Sequence, residues 1–165
     1  MMKTVECFNC GAGISRHERA CPYCGASNRD YQTSIGEVNA LLEKALSAFQ
    51  RGRYAAAIDS CSQVISLDPG VFNAYFYLAS SLASLERYKE AIQAMKKAQA
   101  LQPGNAAIHL NLGVLYKKEG EKTEARKYLE KALKLADADK HINNRAQVKQ
   151  NIKKELRSLK RWGLF

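Results

Sequence analysis

Shifted by 34 residues, the chain overlays itself without a gap. GRYAAAIDSCSQVISLDPG (residues 52–70) falls on ERYKEAIQAMKKAQALQPG (86–104) and on GEKTEARKYLEKALKLADA (120–138). Ala57, Ala91 and Ala125 coincide, as do Leu67, Leu101 and Leu135, and as do Pro69 and Pro103, with Asp137 in place of a third proline. Upstream, Ala45, Ala79 and Gly113 coincide, followed three residues later by Ala48, Leu82 and Tyr116. An unbroken period of this length constrains the fold strongly, because each copy must be a supersecondary unit that buries its apolar face on the next. Small residues at two positions per period let two helices approach closely, larger apolar residues fill the rest of the contact, and a proline ends the second helix. The expectation is an antiparallel helix pair, three times over.

Stacked units leave an apolar face at the end of the row, so a capping helix is expected after the third copy. Within residues 140–161, Val148, Ile152, Leu156 and Leu159 form one apolar stripe, which Ile142 extends. At the other end, Ser34 with Glu37 three residues on, backed by Leu41 and Leu42, reads as a capping box. It follows the loose polar stretch ASNRDYQT, so residues 31–37 read as a linker. Cys61, whose period-mates are Met95 and Leu129, reads as a buried small hydrophobe rather than a reactive thiol.

The repeated pattern resembles the tetratricopeptide repeat family over residues 38–139. The resemblance implies an all-α solenoid with repeats at 38–71, 72–105 and 106–139 and a basic capping helix and tail at 140–165. Leu41 and His109 stand where the family pattern has an aromatic, and the third proline is lost. In this family the first helix of each pair lines a groove that grips a segment of a partner protein. By position, that role falls to Leu42, Leu46 and Phe49, to Asn73, Phe76, Tyr77 and Ser80, and to Leu110, Asn111, Val114 and Lys117. Chaperone-binding members hold a C-terminal carboxylate with Lys, Asn, Asn, Lys and Arg. Here those positions carry Leu42, Leu46, Tyr77, Ala107 and Asn111, so the resemblance implies an apolar or amphipathic segment instead, with Asn73 and Asn111 on its backbone amides.

Ahead of the repeats lies CFNCGAGISRHERACPYCGA, residues 7–26. A Cys-x-x-Cys turn presents two thiolates from one bend, and the following glycine lets the backbone fold back with amides aimed at sulfur. Two such turns, Cys7/Cys10 and Cys21/Cys24, close a tetrahedron suited to a thiophilic ion, zinc above all, with no open position. A segment of about thirty residues buries too little apolar surface to fold without such help. The alternatives are a redox pair, which would call for a βαβ setting, and two disulfides, which would call for an oxidising compartment. The sequence supports neither. The segment is similar to the short bacterial zinc ribbons, which implies a β-hairpin bracketed by C-x-x-C-G-A turns, one structural Zn2+ and a domain at residues 1–30. His17, between the turns, reads as a solvent-facing hairpin residue.

MMKTVE carries one lysine and no apolar run, which predicts neither a secretory signal nor an anchor and hence a reducing, cytoplasmic setting. The net charge of +10 is concentrated at one end: residues 140–165 hold eight basic residues against Glu155 alone. A basic amphipathic helix presenting Lys149, Lys153, Lys154, Arg157, Lys160 and Arg161 allows a solvated cap, a nucleic-acid or ribosome contact made together with the ribbon, or an anionic membrane surface. Trp162, Leu164 and Phe165 are left over from the cap. Three histidines, no Gly-rich phosphate loop and no acid pair argue against catalysis, and no small-molecule substrate is expected. The leading expectation is a protein-binding adaptor with the ribbon as a second contact.

Overall fold

The computed structural model describes residues 4–16, 18–136 and 144–161, with side chains at 32–34, 160 and 161 excepted. The chain divides into two compact units, Met1–Tyr77 and Leu78–Phe165.

The first unit opens with an antiparallel hairpin of β1 (Thr4–Glu6) and β2 (Gly13–Ser15), in the register Thr4↔Ser15, Val5↔Ile14, Glu6↔Gly13. Two helices follow, α1 (Arg29–Gln50) and α2 (Tyr54–Leu67), and then the start of α3 (Phe72–Ser84). Val38, Val64, Leu67 and Ala74 are buried together with Leu41, Leu42, Ile65 and Val71 around them. Ala45 and Ala57 are fully buried, as the close approach of two helices requires. Cys61 is also fully buried, and burial pushes its thiol up to about 11, so it is the inert hydrophobe that its period-mates suggest.

The second unit holds α4 (Tyr88–Leu101), α5 (Ala106–Glu119), α6 (Lys122–Leu135) and α7 (Arg145–Arg161). One part of its core is Ala106, Ala125, Leu129, Ala132 and Ala136, closed by Ile152 and Leu159 of α7, with Val148 and Leu156 packed alongside. The expected stripe is therefore the buried face of α7. Ile142, His17, Trp162, Leu164 and Phe165 lie outside the described residues.

The period survives in three dimensions. Helices α2, α4 and α6 begin 34 residues apart and end 34 residues apart. The preceding helices end in one shared motif, an amide donating five residues back: Arg53 to the Ala48 carbonyl, Arg87 to Leu82 and Glu121 to Tyr116, each at 2.9 Å.

One expectation fails. Residues 31–37 are helix, not linker, and Ser34 lies inside α1 rather than at its start. The true cap is Asn28, whose side-chain oxygen accepts from the Asp30 amide at 3.1 Å. Its Nδ2 donates to the Ser15 and Glu18 carbonyls at 3.2 and 2.9 Å. Asn28 thus joins the hairpin module to the helix and sets the helix start upstream of the expected capping box. Arg29 stacks over the Phe8 ring at 4.1 Å and Arg19 Nε donates to the Tyr31 hydroxyl at 3.1 Å, reinforcing the same junction.

Candidate metal centre and segment-binding faces

The two cysteine turns are built alike. In the first, the Cys7 amide donates to the Ala12 carbonyl at 2.9 Å and the Gly11 amide to the Cys7 carbonyl at 2.8 Å. In the second, Cys21 donates to Ala26 at 2.8 Å and Gly25 to Cys21 at 2.9 Å. Gly11 and Gly25 take left-handed backbones, φ +72° and +73°, which is why both turns carry glycine after the second cysteine. Strand pairing flanks each turn at the same offset, Glu6↔Gly13 and Ala20↔Ser27.

All four sulfurs lie within 4.8 Å of one another. Cys7 Sγ is 3.5 Å from Cys24 Sγ, and Cys10 Sγ is 3.6 Å from Cys21 Sγ. A tetrahedral ion with metal–sulfur bonds of about 2.3 Å needs sulfur edges of about 3.8 Å, so the donor set fits such an ion with little adjustment. Cys7 and Cys21 are buried beside Ile14, while Cys10 and Cys24 face outward. Hydrogen bonds from Asn9 and from the Ala26 amide pull the Cys24 thiol down to about 6. At Cys10 the Ala12 amide pulls the same way, but the Cys24 thiol and desolvation outweigh it and push the group up to about 12. Crowded sulfurs resist shared ionisation, and a bound cation relieves that resistance.

The groove residues assigned from the repeat pattern fall in both units. In the first, Leu42, Leu46, Phe49, Phe76 and Tyr77 are half-buried and Asn73 is exposed. Phe49 lies at the centre of an aromatic group: its ring is 5.7 Å from Tyr54 and 6.1 Å from Tyr77, and Tyr77 meets Phe76 edge-on at 5.9 Å. Phe72 continues the row at 5.7 Å from Phe76. Tyr54 and Phe72 belong to this face although position within the repeat did not mark them; their aromatic character beside Phe49 and Phe76 was the available signal. Leu42, half-buried, packs against the core cluster of Val38, Val64, Leu67 and Ala74.

In the second unit Ser80, Leu110, Asn111, Val114 and Lys117 are half-buried. Lys117 is not an open groove residue. Its ammonium donates to Glu155 and to Ser158 of α7, both at 2.7 Å, and Leu110 packs against the cluster that α7 completes. The capping helix has taken Lys117 as its own polar anchor. His109 is fully buried: Nε2 donates to the Pro103 carbonyl at 2.9 Å, Nδ1 lies 3.5 Å from the Gln99 amide nitrogen, and the ring stacks on Tyr128. Burial holds its pKa below the ordinary value. It is a core histidine. The basic side chains of α7 that are described, Arg145, Lys149, Lys153, Lys154 and Arg157, lie at or near the surface, and those of Lys160 and Arg161 are outside the described residues.

These features define a helical-repeat protein with a four-cysteine knuckle module at its head. Tetratricopeptide repeat models match residues 42–106 and 82–144, together more than half of the chain, and the chain belongs to that family. Tetratricopeptide repeat protein 37 of Xenopus laevis is 29% identical over 86 residues, covering 52% of this chain but only 6% of that protein. The chain therefore matches a small part of the length of this curated relative. Among solved structures, the Yersinia enterocolitica type III secretion chaperone SycD in complex with a peptide of the translocator YopD superposes with a TM-score of 0.69 at 17% identity, covering 76% of this chain and 93% of that one. The first TPR of Spaghetti (RPAP3) bound to the HSP90 peptide SRMEEVD gives 0.66 at 22%, covering 77% and 93%. At these identities the likeness is one of fold.

Proposed function

We propose that this chain is a non-catalytic adaptor that holds an apolar or amphipathic segment of a partner protein, and that its head is a structural zinc ribbon. The observation that carries the first part is the half-buried row of Phe72, Phe76, Tyr77, Phe49 and Tyr54 with Leu46, an aromatic surface of the composition found at binding hot spots. Peptide-bound relatives of this fold support the reading. The partner of RPAP3 is a peptide ending in acidic residues, SRMEEVD, whereas the carboxylate-clamp positions here hold Leu42, Leu46, Tyr77, Ala107 and Asn111. An apolar anchor in the helix-in-groove manner suits these residues better. Asn73 and Asn111 serve the segment's backbone amides.

The test is selection from a library of displayed 12-residue peptides on the full chain and on a Phe49→Ala, Tyr77→Ala variant. Enrichment of apolar or amphipathic peptides on the first and not on the second is expected. Enrichment that ignores the substitutions, or that demands a free C-terminal carboxylate, counts against the proposal.

For the head, four thiolates fill a tetrahedron and leave no position for substrate, which makes the ion's role structural. Its ligands must be deprotonated, so affinity falls as pH falls. One equivalent of zinc per chain is expected by elemental analysis, displaced by strong chelator or by acid near pH 4. Retention of full zinc content in a Cys10→Ser, Cys24→Ser variant would count against the assignment. The cytoplasmic setting belongs with this reading, since reduced thiolates are its condition.

A further inference from the structure

Three shallow hollows of about 360, 250 and 420 Å³ adjoin one another along α7, the first two between it and α6 and the third lined by α7 residues. The first and second share Arg126 and Glu130, and the second and third share Lys153 and Arg157. They form one cleft that begins at Lys122 and Leu159 and ends at Ala146 and Lys149. At 1.5 Å per residue along α7 it runs for about 20 Å. Among the described residues its lining includes the cations Lys122, Arg126, Lys127, Lys149, Lys153 and Arg157 and the carboxylate Glu130, and Arg126, Lys153 and Arg157 each line two of the hollows. Lys127 is partly answered by Glu124 at 3.4 Å. Both helices are basic along the chain, α6 with five cations against Glu124 and Glu130, and its packing beside α7 brings Arg126 to Lys153 and Arg157.

We infer that this cleft binds the phosphate backbone of nucleic acid without regard to sequence. Three features select this partner. A membrane-binding helix must offer its apolar face to lipid, but the apolar face of α7 is spent on the core, with Ile152 and Leu159 buried. A protein partner would call for a desolvated aromatic or aliphatic anchor, and no aromatic lines the cleft among the described residues. A polar, strongly positive, elongated surface is the character of nucleic-acid interfaces, and absence of an aromatic there also removes base stacking, leaving phosphates as the contact. At one phosphate per 3.4 Å of each strand, about 20 Å accommodates about six on one strand. The cleft lies in the second unit and does not depend on the segment-binding reading.

The experiment is fluorescence anisotropy of labelled 20-base-pair DNA duplexes of two unrelated sequences with the full chain, from 50 to 300 mM salt. Equal affinity for the two sequences is expected, with log K falling against log salt at a slope of about −4, the value for four or five neutralised phosphates. Arg126→Ala, Lys153→Ala, Arg157→Ala should weaken binding at least about tenfold at 100 mM salt and bring the slope about three closer to zero. Lys44→Ala, Arg51→Ala, Arg53→Ala removes equal charge from exposed positions of the first unit and should leave the slope nearly unchanged. Far-UV circular dichroism of both variants establishes that they are folded. No saturable binding at 50 mM salt overturns the inference, as does an equal loss in the two variants, which would reduce the effect to net charge. Capture by phosphatidylserine vesicles or by polyglutamate without duplex binding overturns it too, and assigns the cleft to lipid or to an acidic segment.

Discussion

Glu86 carries a left-handed backbone, φ +59°, at the position where its period-mates are Gly52 and Gly120, φ +71° and +92°. All three precede the residue that closes the helix-ending motif, so the conformation is imposed by the motif and the middle copy bears its steric cost with a side chain. Glu86→Gly should raise stability by about 0.5–1 kcal/mol, net of the extra backbone freedom of glycine when unfolded. Chemical denaturation would show this as a higher midpoint at unchanged slope. His109 argues at the same scale. Its folded pKa lies below the unfolded value because burial opposes the charge, with Lys131 adding repulsion, so on acidification the unfolded chain takes up the proton first. Stability from this site is complete above about pH 7 and declines as pH falls through the unfolded pKa of about 6.5. Wild-type melting temperature should therefore drop more between pH 7.5 and 5.5 than that of His109→Phe, which keeps the stack on Tyr128. His17 and His141 are common to both proteins and cancel. Equal drops would contradict the assignment.

Between elements, the repeat depends on close approach. A methyl group at Gly113 would lie 2.5 Å from Leu129 Cγ and 3.2 Å from the Ala125 carbonyl, so α5 meets α6 where only glycine fits. Gly113→Ala should cost about 1–3 kcal/mol despite the better helix propensity of alanine. Gly36, inside α1 with nothing within 4 Å of its added carbon, is the control, and Gly36→Ala should stabilise by about 0.5–1 kcal/mol. Thermal melts of the two variants should move in opposite directions. This is the scale at which the sequence is most legible: small residues at the 34-residue period marked the helix contacts, and the stripe Val148, Ile152, Leu156, Leu159 marked the face of α7. The start of α1 was not legible. Tyr31 and Ile35 stand at helical spacing from Val38 and Leu42, but the Ser34–Glu37 capping pattern suggested a later start, and the true start is set by Asn28, whose partners Ser15 and Glu18 lie 13 and 10 residues back along the chain. Lys117 escaped for a similar reason, since its partners Glu155 and Ser158 lie 38 and 41 residues away.

For the whole molecule, the sequence marked the four cysteines completely, because a closed thiolate set is encoded by spacing alone. It marked the aromatic face only in part, since Tyr54 and Phe72 join it through packing, and it marked the α7 side of the basic cleft but not Arg126 of α6, which only packing brings beside Lys153 and Arg157. Each unit thus offers its own surface, an aromatic face in the first and a basic cleft in the second. The claim that matters most is that the first unit holds an apolar segment by desolvation rather than by charge. Its most direct test is isothermal titration of a library-selected peptide, with its C-terminus amidated, into the wild-type chain and the Phe49→Ala, Tyr77→Ala variant at 50 and 500 mM salt. The expected result is binding to the wild type that is indifferent to amidation and changes by less than about threefold with salt, with a negative heat-capacity change, and at least tenfold weaker binding to a folded variant. Binding that vanishes on amidation, collapses at high salt or survives the loss of both aromatic rings would contradict it.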